Sequence, residues 1–180
     1  TTPCDWTRPP RLEEDVLPLV RAFDAANRTG ALVPELRGTL DLIFARTPTP
    51  TGSDALPFEV WDGTRPVPVG EWLAANPRPD LPELDARLRG LGAGPYGHRA
   101  GDILLLTRSG AQRPIEDRFY FSGRYRSWHG SPESQDSRIA LVVAGGGRSG
   151  SELRDVVHTA AGATPTQLDV TRIILALLGR

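Results

Sequence analysis

The sequence predicts an α/β fold in which a mostly parallel or mixed sheet carries flanking helices. Short apolar runs alternate with segments whose apolar residues recur at spacings of three and four, the spacing of an amphipathic helix. Residues 102–106 and 139–144 are apolar almost throughout, which is typical of central strands covered on both faces. The chain has 180 residues, 39% of them hydrophobic and 24% charged, so we expect one globular domain.

The first elements are an extended lead-in, a helix and a strand. Residues 1–10 are polar and rich in proline, and we separate them from a single α/β domain over residues 11–180. Acidic residues at 13–15 precede apolar residues at helical spacing, which predicts a helix that ends at Gly30. The apolar run 40–45 lies between glycine- and proline-rich segments and predicts a buried strand.

A β-hairpin follows, with residues 58–61 and 64–69 as its arms. Asp62-Gly63 between the arms is a strong hairpin signal. Pro66 and Pro68 place the second arm at a sheet edge, because proline cannot donate a hydrogen bond to a neighbouring strand.

The later elements are two strands between two helices. Asp80 and Glu83 have the spacing of an N-cap and its partner three residues on, which predicts a helix from there to Gly92. The strands are the apolar runs 102–106 and 139–144. Apolar residues from 168 to 178 predict a final helix that ends at Gly179.

Charge and composition exclude several classes of protein. The chain has 22 acidic and 21 basic residues, a balance that argues against binding nucleic acid through its phosphates. No apolar run has the length of a membrane span. A single cysteine, Cys4, forms no intramolecular disulfide. The absence of methionine predicts a processed or truncated product, with further chemistry expected upstream of Thr1.

Among the three histidines, His129 is the candidate metal ligand. It lies on a loop ahead of an apolar run and beside Gly130, which lets a ligand approach closely. The alternative is a histidine that faces solvent, because no second histidine or cysteine lies at ligand spacing and zinc needs three or four ligands. We interpret His98 as an exposed loop residue and His158 as a structural residue of a strand or short helix.

Two loops are the other candidate functional segments. Residues 109–137 form a long polar stretch whose aromatic side chains, between Phe119 and Trp128, either anchor a partner or pack onto the sheet. The glycine-rich residues 145–150 follow a predicted strand but lack the pattern of a phosphate-binding loop. We interpret them as a turn.

The order of segments resembles the C-terminal part of the alkaline phosphatase superfamily, especially its phosphodiesterase/nucleotide pyrophosphatase and sulfatase-like members. The resemblance rests on Gly101-Asp102 before a strand, on His129-Gly130 after a loop, and on Asp169 before the closing Leu-Leu-Gly. In that family the corresponding "HG" histidine is a metal ligand. The resemblance therefore implies that His129 binds zinc.

The resemblance also implies hydrolysis of a phosphate ester or diester at a two-zinc centre, with a threonine or serine nucleophile. The nucleophile and most ligands lie in the N-terminal half of such domains, and nothing in residues 1–50 matches that half. We expect this chain to be a C-terminal fragment that supplies His129 and a substrate-side loop, binds zinc weakly or not at all by itself, and is inactive alone. Its expected partners are the N-terminal half of the same domain and a small phosphate ester.

An alternative function is a non-catalytic α/β interaction module that binds a partner through the aromatic loop 119–128. A fragment is expected to expose a sheet edge and an apolar face and to form a homodimer through that edge, whereas a self-contained module is expected to be monomeric. The resemblance favours a bacterial protein in the periplasm or outside the cell. The substrate is left open.

Overall fold

A computed structural model describes residues 9–108, 132–137 and 140–179. The chain divides into two compact units, Thr1–Arg138 and Ile139–Arg180. The fold is α/β, as predicted, with a sheet in the first unit and helices in both. The assignment of residues 11–180 to one domain stays a prediction.

Among the described residues, the sheet has four strands, and each neighbouring pair is antiparallel. The prediction of a mostly parallel or mixed sheet is therefore wrong. A continuous apolar run indicates that both faces of a strand are covered. Antiparallel sheets also contain such strands when helices lie on both sides. In the order β3-β2-β1-β4, the strands are β1 (Leu40–Ala45), β2 (Glu59–Trp61), β3 (Pro66–Pro68) and β4 (Ile103–Thr107).

Helices cover both faces of this sheet. The predicted first helix is confirmed as a π-helical turn, Leu12–Val16, that continues into α1 (Leu17–Thr29). Helix α1 ends at Gly30, whose φ of +79° is a left-handed conformation that glycine adopts without strain. Helix α2 (Val69–Ala75) follows β3 directly and was not predicted, and α3 (Leu84–Gly92) follows it.

Strand β1 is the centre of the core, because its alternate side chains enter two apolar clusters. Leu42 and Phe44 belong to the cluster on the α2–α3 side, together with Val69, Leu81, Leu84 and Leu88. Ile43 and Ala45 belong to the cluster on the α1 side, with Val16, Leu17 and Val20. Burial on both faces explains why the predicted strand 40–45 is apolar almost throughout.

A β-bulge in β1 interrupts this alternation at one polar residue. Leu42 is paired with Leu106 and Leu40 with Thr107, so Asp41 is the extra residue. Leu40 therefore joins the α1-side cluster rather than that of Leu42. A bulge commonly re-aims a side chain, and here Asp41 forms an ion pair with Arg78.

Two further predictions for this unit need correction. Strand β4 was predicted to be central but lies at the end of the described sheet, and its Leu105 is 38% exposed. Helix α3 begins at Leu84 rather than after Asp80, because the carboxylate of Asp80 pairs with Arg78 and so does not cap the helix. The hairpin and the edge position of β3 are confirmed.

In its described residues, the second unit consists of two α-helices, a short 3-10 helix (Gln167–Asp169) and their connections. Residues 140–145 form no strand, so the prediction of a strand at 139–144 is wrong for the part that is described, where no neighbouring strand pairs with it. The glycine-rich segment is a turn, as predicted. It leads to Ser149, which forms a capping box with Glu152 at the start of α5 (Gly150–Ala161). The predicted final helix is confirmed as α6 (Val170–Leu177).

Candidate functional site

His129, the predicted metal ligand, and the aromatic loop 119–128 lie outside the described residues, as does Cys4. The segments on either side of that loop are described. Strand β4 precedes it, and the short helix α4 (Ser134–Ser137) follows it. The residues of the first unit that contact these flanking segments therefore make up the candidate site.

The most polar feature near these segments is an ion cluster of Asp41, Arg78 and Asp80. Arg78 Nη2 lies 2.6 Å from Asp41 Oδ2 and 2.5 Å from Asp80 Oδ2, and Arg78 Nε donates to Asp80 Oδ1 at 2.9 Å. The side chains of Arg78 and Asp41 are 16% and 9% exposed, whereas that of Asp80 is 41% exposed. The Asp41–Arg78 pair is thus the desolvated part of the cluster.

The ion cluster also shifts the pKa values of Asp80 and Arg78. Hydrogen bonds from the Arg78 guanidinium hold the pKa of Asp80 below its ordinary value. The Asp80 carboxylate, followed by that of Asp41, raises the pKa of Arg78 above its ordinary value against the opposing effect of burial. Both shifts favour the charged forms of Asp80 and Arg78.

The segment after the His129 loop is held by this part of the molecule. The backbone carbonyl of Asp80 accepts a hydrogen bond from the Ser134 amide at 2.8 Å. Arg87 Nη1 on α3 donates to the Pro132 carbonyl at 3.3 Å and to Ser137 Oγ at 2.6 Å. Pro132 is the third residue after His129 in the sequence. The described segment 132–137 is therefore held by Arg87 and by the Asp80 carbonyl.

We expect the ion cluster to make folding stability depend on pH in the acid range. Because the pKa of Asp80 is lower in the folded protein than the value of about 3.9 in an unfolded chain, its contribution is complete above about pH 4 and is lost as pH falls through the folded pKa. Asp80→Asn should therefore lower the free energy of unfolding at pH 6 but have less effect at pH 3, measured by urea denaturation.

The matched control is Asp54→Asn, which removes an exposed carboxylate that has no ion pair in the described part of the chain. Its effect should be small at both pH values. An Asp80→Asn effect of equal size at pH 6 and pH 3 would contradict the assignment.

A second polar centre surrounds Arg46, the residue directly after β1. Arg46 is 1% exposed, and its Nη2 donates to the carbonyls of Gly97 and His98 at 2.9 and 3.1 Å. Its guanidinium carbon lies 4.6 Å from the centre of the Phe58 ring. Asp102 Oδ1 is 3.6 Å from Arg46 Nε, close enough for an ion pair but too far for a hydrogen bond.

The backbone around Arg46 is packed too closely for most side chains. A Cβ atom added at Gly97 would lie 2.1 Å from the Gly92 carbonyl oxygen, so only glycine fits there. His98 accepts a hydrogen bond at Nδ1 from the Gly52 amide at 3.4 Å and is half-buried rather than an exposed loop residue. Because Arg46 is enclosed, we assign it a role in holding this backbone rather than in binding substrate.

Sequence reasoning missed both polar centres. Two features of the sequence could have indicated these centres. Arg46 comes directly after an apolar strand, and Asp41 lies inside that strand. Charged residues are almost never fully buried unless they are paired, so these positions imply partners that are distant in sequence. His158 lies on the helix α5, one of the two elements predicted for it, but it is exposed there rather than packed as a structural residue.

Within 9–108, 132–137 and 140–179, no group of three or more histidine, cysteine, aspartate or glutamate side chains converges at metal-binding distance.

The described ranges contain no helix with the length and apolar character of a membrane span. Comparison of the chain with protein-family models, with curated proteins and with solved structures found no match.

Proposed function

We propose that this chain supplies the C-terminal part of a metal-dependent phosphoric ester hydrolase and contributes His129 as a metal-binding residue. The observation that carries the proposal is the order of the segments: Gly101-Asp102, His129-Gly130 and Asp169 before a closing Leu-Leu-Gly. Strand β4 follows the first of these and helix α6 follows the last, which agrees with the resemblance.

The contacts of α3 support a role for the loop that carries His129. A metal ligand must be held in place by the structure around it, because a loosely held ligand loses affinity. Arg87 and the Asp80 carbonyl hold the segment that begins at Pro132. These contacts fix the described segment that begins three residues after His129.

We infer that the nucleophile and the remaining metal ligands come from the N-terminal half of the same domain. The surface of the second unit supports a covering partner. Leu141 and Val142 are 45% and 84% exposed, and a cavity of about 350 Å³ lies between residues 141–143 and α5. Apolar surface of this kind is normally covered in a complete domain.

The proposed substrate class is a small phosphate ester. We also propose that the chain forms a homodimer through a sheet edge.

The test is to isolate the native protein from its source cells with an antibody against this chain. The proposal predicts a mass well above 19.5 kDa, about two zinc ions per molecule and hydrolysis of bis(4-nitrophenyl) phosphate. A protein of about this chain's own mass that contains no metal would contradict the proposal and favour the interaction module.

The isolated 180-residue chain gives a complementary prediction. It should show no zinc-dependent turnover of the same diester, because one histidine cannot replace the nucleophile or hold two metal ions. Turnover by the isolated chain that disappears in His129→Ala would show that the chain is competent alone.

A further inference from the structure

Residues 47–54, in the connection from β1 to β2, form a loop that is fixed at both ends. The Arg46 amide donates to the carbonyl of the residue before β4 at 3.0 Å, and the Ala55 amide donates to the carbonyl of the last residue of α3 at 3.0 Å. Between these ends, in the part of the chain that the structure describes, one hydrogen bond joins the loop to another segment. The Gly52 amide donates to His98 Nδ1 at 3.4 Å.

The composition of the loop leaves it few other donors. Pro48 and Pro50 have no amide hydrogen. The amide and the hydroxyl of Ser53 both donate within the loop, to the Pro50 carbonyl at 3.3 and 2.6 Å. The Thr49 hydroxyl is buried without a hydrogen-bond partner among the described residues, which is unfavourable while the loop is closed and is relieved when water reaches it. The bond to His98 therefore offsets part of the cost of closing the loop.

His98 accepts this hydrogen bond only while Nδ1 carries no proton. In the neutral ring with its proton on Nε2, Nδ1 is an acceptor, whereas both nitrogens of a protonated ring are donors. Histidine is the side chain that ordinarily changes its charge between about pH 5 and 8. A protonated His98 would face the Gly52 amide as a second donor, and the hydrogen bond would be lost.

The charges next to His98 are mostly positive. The His98 carbonyl accepts a hydrogen bond from Nη2 of the buried Arg46 at 3.1 Å. Arg99, the next residue, is exposed, and its guanidinium carbon lies 4.7 Å from the centre of the Tyr96 ring. The carboxylate of Asp102 is 3.6 Å from Arg46 Nε. A positive charge on His98 is therefore added beside two arginines that have one carboxylate near them among these residues.

The other elements around His98 carry charges that are engaged elsewhere or exposed. On α3, which packs against the 3-10 helix that contains His98, Asp85 and Arg89 form an ion pair with each other, and Arg87 contacts α4. The charged residue of the loop itself is Asp54, which is exposed. Within the described residues, none of these carboxylates forms an ion pair with His98.

We propose that His98 is a pH-sensitive switch that holds the loop 47–54 closed when its ring is neutral and releases the loop when its ring is protonated. Release breaks the Gly52–His98 bond and brings the Thr49 hydroxyl to water, while the bonds of the Arg46 and Ala55 amides keep the two ends of the loop in place. Loop and histidine lie within the first unit. This inference is independent of the proposed hydrolase function.

The test measures hydrogen exchange of the backbone amides of the whole chain by NMR at pH 7.5 and pH 5.0. Each rate is compared with the rate expected for an unstructured chain at the same pH, which gives a protection factor. The protection factor of the Gly52 amide should fall about fivefold from pH 7.5 to pH 5.0, the effect of losing roughly one hydrogen bond. The Ala55 amide is the internal control and should keep its protection, because its carbonyl partner does not titrate.

Two variants separate protonation of the ring from its shape. His98→Asn retains an acceptor oxygen near the position of Nδ1 that does not titrate, so Gly52 should stay protected at both pH values. His98→Phe retains a ring without an acceptor, so the protection of Gly52 should be low at both. The matched control is His158→Asn, at an exposed position on α5, which should respond to pH like the wild-type chain.

Equal protection of Gly52 at the two pH values in the wild-type chain overturns the proposal, as does a fall of the same size in the His98→Asn protein. A parallel loss of protection at Ala55 would show that the whole region opens rather than the loop alone, and it would overturn the proposal as well.

Discussion

Arg78→Met is expected to lower the free energy of unfolding by about 3 kcal/mol, measured by urea denaturation at pH 7. The substitution removes the guanidinium that neutralises Asp41, whose side chain is only 9% exposed. A carboxylate held in a desolvated position without its partner is strongly unfavourable. It also removes the hydrogen bonds from Arg78 to Asp80.

A double-mutant cycle separates the ion pair from the loss of packing. Arg78→Met combined with Asp41→Asn should be more stable than Arg78→Met alone, because the neutral amide is easier to bury than a carboxylate. If the two single effects simply add, Asp41 and Arg78 do not interact as the structure indicates.

Arg46→Met is expected to be similarly destabilising, by about 2–4 kcal/mol, in the same measurement. Methionine fills part of the volume but donates no hydrogen bonds, so the carbonyls of Gly97 and His98 lose their charged donor. The contact of the guanidinium with the Phe58 ring is lost as well. Because these contacts join the end of β1 to residues 97–102, we expect this segment to lose protection from hydrogen exchange first.

The control for this substitution is Arg65→Met. Arg65 is exposed in the β2–β3 turn, and its replacement should change stability by no more than about 0.5 kcal/mol. An Arg46→Met protein as stable as the Arg65→Met protein would mean that the buried guanidinium makes no net contribution to the free energy of unfolding.

Local elements of the fold could be predicted where the signal is contained in a few neighbouring residues. Asp62-Gly63 between two short apolar arms predicted the hairpin, because this pair favours the short turns that join antiparallel strands. The loop in the structure comprises the four residues 62–65. Gly30 marked the end of the first helix for the same kind of reason. The apolar run 40–45 predicted a buried strand whatever the direction of its neighbours.

Features that depend on distant residues could not be predicted in the same way. Strand direction is not encoded in an apolar run, so β1 and β4 were assigned to the wrong kind of sheet. Asp80 has the sequence spacing of an N-cap, but its carboxylate accepts hydrogen bonds from Arg78, and the residue directly before α3 is Glu83. The side-chain hydrogen-bond partners of Asp41 and Arg46 are 37 or more residues away, and only the fold brings them together.

The measurement that tests the central claim most directly is the zinc content of the native protein with His129 replaced by alanine, compared with His158→Ala. His158 is exposed on α5, so its loss controls for the removal of a histidine that is not a proposed ligand. We predict that His129→Ala lowers zinc content and diester hydrolysis together, while His158→Ala leaves both unchanged. Unchanged zinc in the His129→Ala protein would contradict the assignment of His129 as a metal ligand.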